Sequence, residues 1–317
     1  MEMLRAMENR DYPVDYLGAR VRGRRRYLVA DWESILSAPS PLEAVPATPG
    51  RGALTTSGEE RIWRGLLHEW GWVYGQMNGG VRSTFAPVYR WLELRTLILC
   101  LRNRMAGDTA KEEALLATSL LAEPLKRAVR EGDALRVLGM AGEFLAPRGG
   151  RRVRAAYGSE GMAGGERELV TLCLEGAVAG RLHPAVREFC RYLIDRQNLV
   201  ALYKVLRWRT GISPLYVAGG TLRISALEEV RAKGDAGSIV HLIRRRSGVE
   251  PPLTPSGVEK ALVDGLSRLL RRMARGGDGV GLVLDYLWRC YTEARNLGVL
   301  LQAGGMEREA LRGELFL

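Results

Sequence analysis

The chain reads as an all-α protein built from three similar helical units. Three observations carry that expectation. Apolar residues recur at spacings of three and four over long stretches, while strand signals are scarce. A short acid–polar motif recurs on three of those stretches. A second element, a helix-ending glycine followed by a capping aspartate, recurs at the same offset as the first.

The central stretch, REFCRYLIDRQNLVALYKVLRWR at 187–209, places Phe189, Cys190, Leu193, Leu199, Leu202 and Val205 at mostly helical spacing. Asp195 and Asn198 lie three apart and share one face near its middle. Short polar side chains there compete with the backbone for hydrogen bonds, so the spacing predicts partners that satisfy them. Glu93 with Thr96 repeats the arrangement in PVYRWLELRTLILCLRNR, and Glu293 with Asn296 repeats it in LDYLWRCYTEARNLGVLLQ. Glu93 and Asp195 are 102 residues apart, and Asp195 and Glu293 are 98 apart.

The second element occurs as LKRAVREGDALRVL from Leu125 and LEEVRAKGDAGSIV from Leu227. Each reads as a helix, a terminating glycine, a capping aspartate and a further helix. Asp133 and Asp235 are again 102 apart. WESILSAPSPLEAV from Trp32 looks like a third copy, with Pro39-Ser40 in place of Gly-Asp. That copy has no repeat helix just before it, and the last repeat helix has little chain after it. The expectation is that the two ends complete one unit between them, giving three units about a pseudo-threefold axis. The bounds are 12–150 for the first unit plus the N-terminal segment closing the third, 165–247 for the second and 256–317 for the third. Helix starts are expected at the Ser-x-x-Glu boxes beginning at Ser40, Ser57, Ser225 and Ser256. Pro41 suits a first helical position. Linkers are expected at 46–57, 147–165 and 247–257, where Pro and Gly accumulate.

Composition narrows the function classes. The 317 residues are 46% hydrophobic, enough for a large packed interior. The net charge of +11 is mostly arginine, which permits an anionic partner without choosing one. MEMLRAMENRDY has no apolar core, so no signal peptide is expected, and no stretch reaches the length of a spanning helix. Cys100, Cys173, Cys190 and Cys290 form no C-x-x-C pair and are read as buried free thiols of a cytoplasmic protein. There is no phosphate-cradling G-x-x-x-x-G-K-[ST] loop, no H-E-x-x-H and no G-x-S-x-G elbow, and His68, His183 and His241 are widely spaced. No catalytic residue, metal or cofactor is expected. The aromatic stretch IWRGLLHEWGWVY at 62–74 is read as packing rather than base stacking. RGGRRVR at 148–154 is read as a solvated basic loop. Arg24, Arg25 and Arg26, at the end of the run ARVRGRRRYL, form a basic patch that is read either as a solvated helix face or as a grip for phosphates.

Several stretches also resemble a known family. YLGARVR at 16–22, YLIDRQNL at 192–199, YVAGGTL at 216–222, GVGLVLDYL at 279–287 and EARNLGVLL at 293–301 are similar, in order, to the C-type (or d-type) stalk subunits of V/A-type rotary ATPases. The resemblance implies an all-α funnel of three units and a non-catalytic part of the rotor. It implies a socket that sits on the membrane ring of ion-carrying subunits, receives the central shaft and transmits torque. The shaft and ring subunits would be its partners, and it would lie on the cytoplasmic face of the membrane without spanning it. Glu93 and Thr96 stand where the family usually shows Asp and Asn. Gly107-Asp108 stands where a turn like Gly219-Gly220 is expected. In this reading the six motif residues are repeat-motif or partner-contact candidates, and Arg24, Arg25 and Arg26 are a possible basic patch facing the ring or the membrane. The rival reading is a basic α-helical nucleic-acid-binding protein, resting on charge alone.

Overall fold

The computed structural model describes residues 2–46, 58–209, 214–304 and 306–316. It is all-α, and among the described residues the only β pairing is two isolated bridges, Leu4 with Leu121 and Tyr12 with Met77. The helices are α1 Val14–Arg24, α2 Trp32–Ser37, α3 Glu59–Gln76, α4 Gly79–Met105, α5 Thr109–Thr118, α6 Glu123–Glu131, α7 Ala134–Leu145 and α8 Gly149–Val178. They continue with α9 Pro184–Trp208, α10 Ile224–Lys233, α11 Ser238–Ser247, α12 Pro255–Arg275, α13 Gly279–Gln302 and α14 Arg308–Glu314. The three motif-bearing stretches are α4, α9 and α13, at 27, 25 and 24 residues the longest after α8.

The chain separates into two compact units. The first comprises Met1–Leu17 and Trp63–Val186. α4 is its spine and packs against α5, α6 and α8. Phe85, Tyr89, Leu97 and Cys100 on α4 are fully enclosed. Trp70 and Tyr74 of the aromatic stretch are buried on α3, so those rings are packing groups. The segment Met3–Arg5 runs antiparallel to 120–122, with Arg5 N–H donating to Leu120 O at 2.8 Å and Ala122 N–H to Met3 O at 2.9 Å.

The second unit comprises Gly18–Ile62 and Arg187–Leu317. Leu199, Leu202 and Tyr203 of α9 meet Leu227 of α10, Ile239 and Ile243 of α11, and Val258 and Leu262 of α12 in one apolar cluster. α13 packs along α12. Gly18 faces Leu282, whose Cδ2 would lie 3.2 Å from an added Cβ.

The glycine ends its helix alike in both copies of the glycine–aspartate element, but only Asp133 stands at the N-cap of the next helix; α11 begins at Ser238, after Gly237. Gly132 (φ 81°) and Gly234 (φ 68°) end α6 and α10 in the left-handed region, which favours glycine, and each N–H returns to the carbonyl three residues back. Asp133 then accepts from Arg136 N–H at 2.9 Å. Asp235 accepts from the N–H groups of Gly237 and Ser238, both at 3.0 Å. In the Trp32 copy, α2 stops at Ser37 and Ala38 is extended, so the Pro39-Ser40 substitution changes the turn.

Several expected boundaries are corrected. Ser40 starts only turns, not a helix. Ser57 lies outside the described residues, as does most of the 46–57 linker. Ser225 and Ser256 sit inside α10 and α12, which begin at Ile224 and Pro255. Thr254 caps α12 by accepting from Gly257 N–H at 3.0 Å, and Pro255 occupies the first turn, where its missing N–H costs nothing. The 147–165 stretch is not a linker. From Gly149 it belongs to α8, which is interrupted only at Gly161 (φ 64°, ψ −150°). The basic loop expected at 148–154 is therefore mostly helix, with Arg152 bonded to Glu168 and Glu175 and Arg154 to Glu143. The glycines serve close packing. A Cβ on Gly142 would lie 2.8 Å from the backbone of Gly149, and one on Gly149 would lie 2.8 Å from Gly142 C.

Candidate functional site

The motif residues sit at one kind of junction on all three long helices. On α9, Asp195 Oδ1 accepts from the N–H groups of Thr221 and Leu222, each at 2.9 Å. Those residues lead directly into α10. On α4, Glu93 Oε1 accepts from Leu120 N–H at 3.0 Å, just before α6. On α13, Glu293 Oε2 accepts from Val29 N–H at 2.6 Å, just before α2. The acid-to-amide separation is 27 residues in the first two cases. In the third the partner comes from 264 residues upstream. The helices joined in this way, α6, α10 and α2, are the three stretches that carry the second repeated element.

The amides act as a second clasp. Asn198 Nδ2 donates to Val217 O and its Oδ1 accepts from Val217 N–H, both at 2.8 Å. Asn296 closes the same two-bond ring on Phe316, at 2.8 and 2.9 Å. Thr96 cannot form that ring, because a hydroxyl lacks the amide's paired donor and acceptor; instead it bonds to Glu93. The register from Glu93 to Leu120 places Ala117-Thr118, at the end of α5, where the second copy has Gly219-Gly220. Gly107-Asp108 is thus not the counterpart of that turn: Asp108 caps α5 by accepting from Lys111 N–H at 3.2 Å. Gly220 is required by closeness, since a Cβ there would press on Asp195 Oδ1 and lie 3.0 Å from Ile194 Cγ2.

All six residues are buried, Asp195 and Asn296 completely. Burial pushes the Asp195 carboxyl above its ordinary range, against the Leu222 and Thr221 N–H groups and the Arg246 guanidinium. Arg246 Nε lies 2.7 Å from Asp195 Oδ2. The guanidinium also lies 4.1 Å from the centroid of the Tyr192 ring. The Tyr192 hydroxyl donates to Leu262 O at 2.9 Å, which ties α9 to α12.

Complete burial raises the Glu93 carboxyl to about 7, opposed by the Leu120 N–H, Lys126, Arg5 and Thr96. Its Oε2 has no hydrogen-bond partner. Burial likewise lowers the Lys126 ammonium. An acid raised on folding ionises more readily in the unfolded chain. Its stabilising contribution is full below the unfolded value of 4.5 and is lost as pH rises to about 7. Glu93→Gln keeps an acceptor for Leu120 and removes the titration. The wild-type chain is expected to lose up to about 3 kcal/mol across that window, and the variant's urea midpoint should lack that slope. Parallel pH profiles for the two proteins would show that Glu93 does not titrate there.

Two further acids join the repeat helices, and the sequence pattern does not single them out. Glu259 Oε1 accepts from Arg196 of α9 and Arg295 of α13, both at 2.8 Å. Burial pushes its carboxyl up, but the two arginines outweigh that and hold it below the usual range. Its place in a Ser-x-x-Glu pattern suggests a cap; with Thr254 capping, the side chain is free to bridge. Asp285, 1% exposed, accepts from Arg289 Nε at 2.9 Å and pairs with Arg25. Arg25 is thus half-buried and bound to α13, whereas Arg26 is exposed, with its guanidinium over the Tyr27 ring. Arg24 also lies near that ring, 5.9 Å from its centroid. Spacing gives no signal for the Arg25–Asp285 pair, since its members are 260 residues apart.

The arrangement is a set of buried clasps between long helices and the segments that start shorter ones. All four cysteines are buried and none forms a disulfide. Among the described residues no helix is long and apolar enough to cross a membrane. The family model described as ATP synthase (C/AC39) subunit matches residues 50–304. No curated protein matches the chain.

Proposed function

The chain belongs to the ATP synthase (C/AC39) subunit family, the non-catalytic stalk subunit of V/A-type ATPases, and from that premise we propose that it is the rotor's socket. In this reading three similar helical units, one closed by both ends of the chain, form a stiff adapter about a pseudo-threefold axis. One side docks on the membrane ring of ion-carrying subunits, the other receives the central shaft, and torque passes between them. Membership implies association with other subunits of the complex. The protein would lie against the cytoplasmic face of the membrane without entering it.

The observation that carries the proposal is the clasp repeated on α4, α9 and α13. A torque adapter must resist shear between its helices. Buried, hydrogen-bonded polar groups fix one relative position where apolar contact alone allows sliding. The motif residues other than Thr96 act as internal locks in this reading, and partner contacts fall on exposed side chains. Exposed Arg26, with half-buried Arg24 beside it, is the proposed basic contribution toward the ring or lipid head groups. Arg25 is set apart because it holds Asp285.

The test is recovery of the tagged chain from membranes. Catalytic-head and ring subunits are expected to come with it. Neutralising Arg24 and Arg26 should reduce ring co-sedimentation more at low than at high salt, since exposed charges are screened over about 8 Å at physiological ionic strength. Recovery without head or ring subunits would sink the socket. Recovery with nucleic acid instead would favour the charge-based rival.

A further inference from the structure

The second unit carries a basic cleft that the clasps do not explain. Arg245, Arg246, Arg268, Arg271, Arg272 and Arg275 line a cavity of about 510 Å³ between the end of α11 and the last turns of α12. Among the described residues no carboxylate lines it. Arg268, Arg271, Arg272 and Arg275 follow one another at i, i+3, i+4 and i+7, so four guanidinium groups share one helix face. Like charges at that spacing repel. The negative ends of the two helices offset part of this, but only within their last turns.

The cleft has a fixed floor. Arg246 is held by Asp195 and by the Tyr192 ring, and its side chain is only 12% exposed. Its Nη2 is buried and has no hydrogen-bond partner. Arg268 Nη2 donates to Ser247 O at 2.7 Å, which pins the rim where α11 ends. Gly265 lets α12 come this close, since a Cβ there would lie 2.7 Å from Ser247 Cα. The size is that of a small-molecule site. Every charged lining group is an arginine, whose planar fork matches phosphate oxygens two at a time. The lining lacks an aromatic face free to stack on a base, because Tyr192 is covered by Arg246.

We propose that this cleft binds an oligophosphate group, a chain or cluster of several phosphates recognised by charge and fork geometry rather than by an attached base. The site stands apart from the rotor reading and requires no assembly partner. Such a group is carried both by free oligophosphates and by polyphosphorylated lipid head groups.

The full-length chain would be titrated calorimetrically with tripolyphosphate, with monophosphate and with polyglutamate at physiological salt. In parallel it would be sedimented with phosphatidylcholine vesicles with and without phosphatidylinositol bisphosphate. Tripolyphosphate is expected to bind and monophosphate to bind at least about tenfold more weakly. Arg271→Gln with Arg275→Gln should weaken binding by about tenfold or more. Arg244→Gln, outside the cleft and paired with Glu250, should change it by less than about twofold. The ligand-free double variant should melt no lower than the wild type, because it loses like-charge repulsion. If it does not fold, Arg272→Gln alone replaces it. Binding of tripolyphosphate identifies a free ligand, and sedimentation only with the phosphorylated lipid identifies a head group. No binding of either, equal loss in the Arg244 variant, or equal affinity for polyglutamate overturns the proposal.

Discussion

Replacing Asp195 with alanine is expected to destabilise the second unit by about 3–5 kcal/mol, the range seen when one partner of a buried charge pair is removed. Three losses coincide. The N–H groups of Thr221 and Leu222 lose their acceptor. Arg246 keeps its place over Tyr192 with no counter-charge. A small void opens where the carboxylate now packs against Gly220. Asp195→Asn retains an oxygen for the two amides but turns an amide toward a guanidinium, and should cost about 1–3 kcal/mol. Urea unfolding gives the magnitude, and amide exchange at Leu222 gives the location. The double variant Asp195→Ala with Arg246→Met should lose less than the sum of the two single changes, since the stranded charge is gone. Additive losses, or an alanine variant as stable as the wild type, would remove the clasp from the account of stability.

The second large effect is expected at a residue with no side chain. Gly149→Ala would place a methyl group within contact distance of the Gly142 backbone at the α7–α8 corner. Backbone cannot rotate away, so the helices must separate, at about 3 kcal/mol or more. Gly158→Ala, on the same helix, meets nothing within 4 Å. It should raise stability by about 0.5–1 kcal/mol, because alanine is the better helix former. The opposite signs of two chemically identical substitutions separate packing from propensity. A neutral Gly149→Ala would mean that the α7–α8 contact yields easily.

Those glycines also show where composition misleads. Gly149, Gly150, Gly164 and Gly165 among arginines have the composition of a linker, yet they lie in α8, where Gly149 and Gly150 meet the α7 backbone, Gly164 meets Ala156 O across the kink and Gly165 meets the Leu138 and Tyr157 side chains. Composition reports the absence of side chains; it does not report whether solvent or another helix fills the space. The repeat elements are legible for the opposite reason. Asp195, Asn198 and Asn296 are short polar side chains disfavoured inside a helix, and such a violation needs a partner that the fold supplies; Glu93 and Glu293, good helix formers, are legible only through the repeat. Their acceptor role and the Gly-Asp turns follow from chemistry at short range. Glu259 and the Arg25–Asp285 pair do not, because nothing local distinguishes a bridging carboxylate from a solvated one. Ser225 and Ser256 read as caps because Arg223 and Thr254 sit one turn edge earlier, and a serine inside the first turn has the same sequence pattern as one before it.

The bond from Val29 to Glu293 has a temporal side. Its members are 264 residues apart, and Arg25 with Asp285 adds a second tie of 260. At about 5–20 residues per second of synthesis, the segment containing Val29 leaves the ribosome roughly ten seconds to a minute before its acceptor exists. The clasps of α4 and α9, at 27 residues, can close almost as soon as they are made. The nascent chain therefore holds a helical segment with a free backbone edge through most of its translation. α13 acts as the latch, and a ribosome that stalls before Asp285 releases a product whose N-terminal arm lacks both ties.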